Sequence, residues 1–139
     1  MSLIVHATTI TTLIGGNWRG VLIVGPSGIG KSDLALRALR QDFRLVSDDY
    51  SRLWRSGDHL YATAPDTISG RIEVRGLGIR SQVCRPMTRL SLCLHCQNMP
   101  PERMPEPEST GFLGLSLPAL RLNPLEESTL SKLYLALRG

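Results

Sequence analysis

No run of apolar residues in this 139-residue chain approaches the ~18 needed for a membrane-crossing helix, so no membrane span is expected. The opening stretch "MSLIVHATTI" lacks a basic n-region and a long apolar core, and it does not read as a secretion signal. Cysteine is scarce and odd in number, at three, which argues against a secreted disulfide framework and makes the cytoplasm the expected compartment. The net charge is +4, yet no basic run and no stripe of cations interleaved with aromatics occurs, so nucleic-acid binding is not expected. The arginines are scattered and give a mildly basic surface suited to a phosphate ligand or an acidic partner. There is no internal repeat and no low-complexity tract, and the length leaves no room for a separate substrate domain. Residues 1–139 are expected to form a single domain.

The three thiols invite a zinc reading, because Cys93 and Cys96 form C-x-x-C with His95 between them and Cys84 nearby. "RLSLCLHCQ" alternates, however, with Leu90, Leu92 and Leu94 on one side of a strand. Cys93 and Cys96 then point to opposite faces, since side chains repeat every two residues. A zinc knuckle also needs a second ligand pair. Buried structural cysteines are the expectation, and no metal is assigned to them.

Along the chain, Leu3 to Thr12 is rich in Val, Ile and Thr and predicts a strand. Gly15 to Gly20 predicts a turn. Val21 to Val24 predicts a short strand covered on both faces. Leu34, Ala35, Ala38 and Leu39 follow helical spacing, so a helix is expected from Lys31 to about Gln41. Leu45 and Val46 suit a second buried strand, completing a parallel βαβ unit. A hairpin is expected around Ser56-Gly57-Asp58, a short strand broken by Gly76 and Gly78 in "RIEVRGLGI", and another strand in "RLSLCLHC". "MPPERMPEP" has four prolines and reads as an exposed loop. Leu115 to Leu122 predicts a strand interrupted by Pro118. A closing helix is expected with Asn123 as N-cap, Pro124 at its first position, and an apolar stripe of Leu125, Leu130, Leu133 and Leu137.

The most informative stretch lies between the first apolar strand and the first helix. Gly25-Pro26-Ser27-Gly28-Ile29-Gly30-Lys31-Ser32 satisfies G-x-x-x-x-G-K-S/T, with a strand before and a helix after. Glycines let successive backbone N–H groups point inward as an anion nest, and the helix N-terminus adds partial positive charge. Lys31 brings a mobile cation to the β- and γ-phosphates, and Ser32 offers a hydroxyl to Mg²⁺. A nucleoside triphosphate or related polyphosphate is the expected ligand. Asp33 supports the first helical turn.

Phosphoryl transfer also needs a metal partner and, in a kinase, an acceptor for the hydroxyl proton. Asp48 and Asp49 end the strand after the helix, where carboxyl ends of parallel strands share one crevice. One can face the metal and the other the acceptor, and the chemistry alone leaves open which is which. Glu73 in "IEVRGLGI" reads as a strand-face acid beside Arg75. The glycines after it suggest a backbone shaped for close approach. His6, on a Val/Thr strand, reads first as a packed, hydrogen-bonded histidine.

Taken together, "GPSGIGKSD", "RLVSDD" and "EVRGLGI", with His6 in "VHAT" upstream, resemble the catalytic domain of the HPr kinase/phosphorylase family over roughly Val5 to Ile79. The resemblance implies an α/β fold, a P-loop-containing mixed sheet with flanking helices similar to phosphoenolpyruvate carboxykinase. It implies a kinase that uses ATP and Mg²⁺ to phosphorylate a serine of HPr, the carrier of the sugar phosphotransferase system, and so regulates carbon metabolism. Many relatives reverse the reaction with phosphate and release pyrophosphate. By the same resemblance, Asp49 is the base toward the serine, Lys31 and His6 meet the phosphoryl oxygens, and Ser32 and Glu73 hold the metal with Asp48 assisting. A homo-oligomer is implied, the family form being a hexamer. The chain departs from longer members in lacking their N-terminal domain and in having Arg80-Ser81-Gln82 after "RGLGI". It also lacks their late arginine- and glycine-rich loop, for which Arg121 is the nearest counterpart. It is most similar to the short form of the family. Two other readings stay open: a small-metabolite kinase, which needs an acceptor pocket, and a nucleotide-binding regulatory module that transfers nothing.

Overall fold

The computed structural model describes all 139 residues. Eleven strands and two helices form one mixed α/β arrangement. The strands are β1 (Ser2–Val5), β2 (Thr8–Ile14), β3 (Asn17–Val24), β4 (Phe43–Ser47), β5 (Ser51–Ser56), β6 (His59–Thr63), β7 (Arg71–Val74), β8 (Gly78–Ser81), β9 (Met87–Cys96), β10 (Glu108–Phe112) and β11 (Leu115–Leu122). The helices are α1 (Lys31–Ala38) and α2 (Thr129–Arg138). The main sheet runs β1-β5-β6-β9-β3-β2-β4, with β11 and then β10 branching from β9, while β7 and β8 form a separate hairpin.

Alternation along β3 sets the two cores. Val21 and Ile23 face a cluster that includes Leu34, Ala35 and Ala38 of α1 and Leu130, Leu133 and Leu137 of α2. Both helices therefore cover the same face. Leu22 faces the opposite way, into a cluster with Leu53, Leu60, Leu90, Cys93 and Leu117. No helix fills that side. β9 pairs with β6 through Met87–Arg89 and with β11 through Cys93–Cys96, so β6 and β11 diverge along it. Their inward side chains fill the space between them. Neither helix reaches 18 residues, and no helix is long and apolar enough to cross a membrane.

Several expectations change in detail. The first strand is two strands, broken at His6-Ala7, because Ser51 Oγ donates to the Ala7 carbonyl at 2.9 Å and meets Thr9 Oγ1 at 2.7 Å. β1 pairs with β5, whereas β2 pairs with β3 and β4. Strand β3 begins at Asn17, inside the expected turn. The helix ends at Ala38, as the closing bonds tighten from Leu39 N–H to Ala35 O into Gln41 N–H to Ala38 O, and Asp42 turns left-handed at φ 66°. Leu90 does not share a side with Leu92 and Leu94. Gly20 opposes Leu90 and Val21 opposes Leu92, so the extra residue Ser91 flips the alternation. Cys93 and Cys96 do fall on opposite faces. β11 runs unbroken through Pro118, whose missing N–H precedes the start of pairing with β9 at Ala119.

The closing helix starts at Thr129 instead of Pro124. Asn123 Oδ1 accepts the Leu125 N–H at 2.9 Å, an Asx turn that competes with helix initiation. Leu125 is consequently exposed and outside the stripe.

The most consequential correction concerns the βαβ unit. β4 is not the neighbour of β3. β2 lies between them, antiparallel to both. β3 and β4 still point the same way, two strand spacings or about 10 Å apart, and β2 begins, at Thr8, on the edge where they end.

Candidate functional site

That edge carries the phosphate loop. Gly28 and Gly30 take left-handed φ of 82° and 116°, which only glycine adopts without strain, and turn the loop into α1. Lys31 is 6% exposed, and its ammonium donates to the loop's own carbonyls, Gly25 O at 2.7 Å and Pro26 O at 3.0 Å. Three donors sit on an ammonium, so one remains for a ligand. Beneath the loop, a Cβ on Gly25 would lie 3.1 Å from Cys96 Cβ. Burial pushes the Cys96 thiol up to about 11, against the opposing pull of the Lys31 charge.

The two aspartates have different surroundings. Asp48 is 5% exposed. Its Oδ1 accepts from Ser32 Oγ at 2.7 Å, its Oδ2 accepts from the Glu73 N–H at 3.1 Å, and Thr8 Oγ1 approaches at 3.5 Å. It thus joins α1, β7 and the start of β2. Asp49 sits left-handed at φ 69° and its side chain is 55% exposed. Its N–H donates to Thr8 Oγ1 at 3.2 Å, and its Oδ1 meets His6 Nε2 at 2.8 Å. The His6 ring stacks on Tyr50 with centroids 5.0 Å apart. Reversing direction at this point turns one aspartate inward and the next outward.

A cavity of about 490 Å³ opens between the loop and β7, lined by Gly28, Lys31, Ser32, Asp49, Glu73 and Arg75 among others. Glu73 makes no ion pair with Arg75. Gly76 and Gly78 serve left-handed turns at φ 91° and 88°, with only open space where a Cβ would stand. His6 reaches the site through Asp49 and does not line the cavity. Asp33 lines it and pairs with Arg37 at 3.3 Å, one helical turn on. Arg121 lies elsewhere: it bonds Glu108 at 3.1 Å beside a second cavity of about 530 Å³ under the Pro-rich loop.

Two contributors carry no motif. Thr8 is one threonine among several, and only the position of β2 gives it a role. Tyr50 follows the Asp pair and could have been suspected from adjacency. Arg75, read from the sequence as a surface partner of Glu73, instead lines the cavity. No group of three or more His, Cys, Asp or Glu side chains converges anywhere as a ready-made metal cage.

Comparison with known proteins matches residues 4–103 to the model of the HPr Serine kinase C-terminal domain. The HPr kinase/phosphorylase of Halalkalibacterium halodurans is 40% identical over 86 residues, 56% of this chain and 28% of that protein. The enzyme of the same name from Geobacillus thermodenitrificans is 34% identical over 116 residues, 74% of this chain and 38% of that protein. The chain thus spans well under half the length of these curated relatives. The solved structure of the Hpr(Ser) kinase/phosphatase from Coxiella burnetii superposes with a TM-score of 0.73 at 25% identity, over 97% of this chain and 87% of that one. With the family model spanning well over half of its residues, the chain belongs to the HPr serine kinase C-terminal domain family.

Proposed function

We propose that this chain is the phosphotransfer unit of a protein serine kinase that uses ATP with Mg²⁺ and acts on an HPr-like carrier protein. The observation that carries the reading is the division of labour between neighbouring aspartates. Asp48 is buried and braced, and a visiting serine has no access to it. Asp49 is exposed, lines the cavity beside Lys31, and is oriented by His6. A general base must lie within hydrogen-bond reach of the proton it takes, and of the two neighbouring aspartates the exposed Asp49 suits that role.

The residues present fit a magnesium nucleotide. The nest, the spare donor of Lys31 and the positive end of α1 suit phosphate oxygens. Ser32 spends its single proton on Asp48, so its oxygen is free to face a cation. Mg²⁺ is ordinarily held by one or two carboxylates together with phosphates and water. Ser32 and Glu73 would hold it here, with the buried Asp48 assisting through its bond to Ser32, and it would neutralise charge on the phosphates. The chain's own part is positioning: Lys31 and the loop amides fix the terminal phosphoryl group. Asp49 accepts the seryl proton as the serine oxygen attacks phosphorus and the bond to the leaving phosphate breaks. His6 holds the Asp49 carboxylate in place. This reading puts the chain in the cytoplasm, and a homo-oligomer belongs to it as well.

The test incubates the purified chain with HPr, γ-labelled ATP and Mg²⁺. Label is expected on a serine of HPr. Asp49→Asn should lower the rate by at least about 100-fold while ATP affinity stays within a few-fold. An unlabelled HPr, or an Asn variant as fast as wild type, would refute the assignment.

A further inference from the structure

An apolar side chain at the phosphate loop is pinned in place and yet uncovered. Leu125, in the turn between β11 and α2, is 66% exposed. Its N–H is held by Asn123 Oδ1 at 2.9 Å, and Thr129 Oγ1 donates to the Asn123 carbonyl at 2.5 Å. The Arg37 guanidinium of α1 donates to the Pro124 carbonyl. Leu125 Cδ2 lies 3.1 Å from where a Gly30 Cβ would stand, and Pro124 Cγ lies 3.6 Å from it. The turn therefore rests on Gly30, the N-cap of α1. Isolated exposed leucines are ordinary, but this one is fixed against the loop by contacts from both sides.

Topology gives the direction of a bound nucleotide. Asp48, Asp49 and Glu73 all lie on the β4 and β7 side of β3. On the other side β9 and β11 run parallel to β3 and end on the same edge, tied by the Gln97 N–H to the Leu122 carbonyl at 3.0 Å. They end in Gln97-Asn98-Met99 and Asn123-Pro124-Leu125, with no acid among them. Ligands of such sheets lie across the carboxyl ends of the strands. With its terminal phosphate beside the acids, a nucleoside triphosphate carries its nucleoside toward β9 and β11.

We propose that Pro124 and Leu125 form a nucleoside platform, with Leu125 lending its exposed face to the base and ribose. The inference rests on the loop being a nucleotide site. Neither Pro124 nor Leu125 carries a side-chain donor or acceptor, so the platform itself does not read base edges. ATP and GTP should therefore bind within a few-fold of each other.

Calorimetric titration of the chain and of Leu125→Ser with Mg²⁺-ATP, Mg²⁺-GTP and Mg²⁺-tripolyphosphate tests this, with Leu135→Ser, an exposed leucine of α2, as control. Wild type should bind both nucleotides about five- to tenfold tighter than tripolyphosphate. Leu125→Ser should lose that margin and bind tripolyphosphate like wild type, which also shows that the variant is folded. Leu125→Met should restore the margin, and Leu135→Ser should keep it. Wild type binding tripolyphosphate as well as ATP overturns the platform alone, as does a Leu125→Ser variant that keeps the margin. Equal loss for all three ligands would make Leu125 a prop for Gly30 and overturns it too. Wild type binding none of the three overturns the nucleotide reading and the platform with it.

Discussion

Removing the Asp48 carboxylate should loosen the junction between α1, β7 and β2 before any ligand is involved. Two of its contacts are short enough to count, Ser32 Oγ at 2.7 Å and the Glu73 N–H at 3.1 Å, whereas Thr8 at 3.5 Å adds little. A hydrogen bond to a charged group contributes about 1.5 kcal/mol at the low end, so Asp48→Ala should cost about 3 kcal/mol. At about 0.3 kcal/mol/K of unfolding entropy for a chain of this length, that lowers Tm by about 10 °C. Asp48→Asn keeps the shape. Its oxygen can still accept from Glu73, and the Ser32 hydroxyl can turn to accept from the amide, so the loss should be about 1 kcal/mol, or about 3 °C. Scanning calorimetry in EDTA reads both values without a bound cation. A cycle with Ser32→Ala should show coupling of about 1 kcal/mol, because the two side chains share one bond. A Tm for Asp48→Ala indistinguishable from wild type, or strict additivity with Ser32→Ala, would refute the bracing role.

Gly30→Ala should cost about 1–2 kcal/mol by calorimetry, because φ is 116° there, and should weaken tripolyphosphate binding at least tenfold by titration, because the amides after it are re-aimed. The folded-state pKa of His95 is lowered, by burial first and then by the Arg121 charge. The unfolded chain therefore takes up the proton first as pH falls, so stability should drop as pH goes below about 6.5. Above that value it should be flat in this respect, and His95→Gln should remove the drop from the Tm profile. Burial pushes both Cys93 and Cys96 up to about 11. At pH 8, native protein should therefore show at most the half-buried Cys84 to a thiol reagent, and all three cysteines once guanidinium is added.

The phosphate loop was legible in the sequence because its determinants are local. Glycines at fixed offsets allow left-handed backbone, and the following residues start a helix, whatever lies around them. The opposite faces of Cys93 and Cys96 were legible for the same reason, since strand periodicity is a property of neighbouring residues. The end of β11 shows the limit of local reading: Asn123 and Pro124 look like a helix start, but the Asn side chain closes its own turn first. What only the tertiary structure decided is the company the aspartates keep. Sequence periodicity carries no information about strand order, so it could not show β2 inserted between β3 and β4. That insertion brings Thr8 and His6 to the edge where Asp48 and Asp49 emerge, forty or more positions later in the chain. It makes a buried brace of one carboxylate and leaves its neighbour exposed beside the phosphate loop.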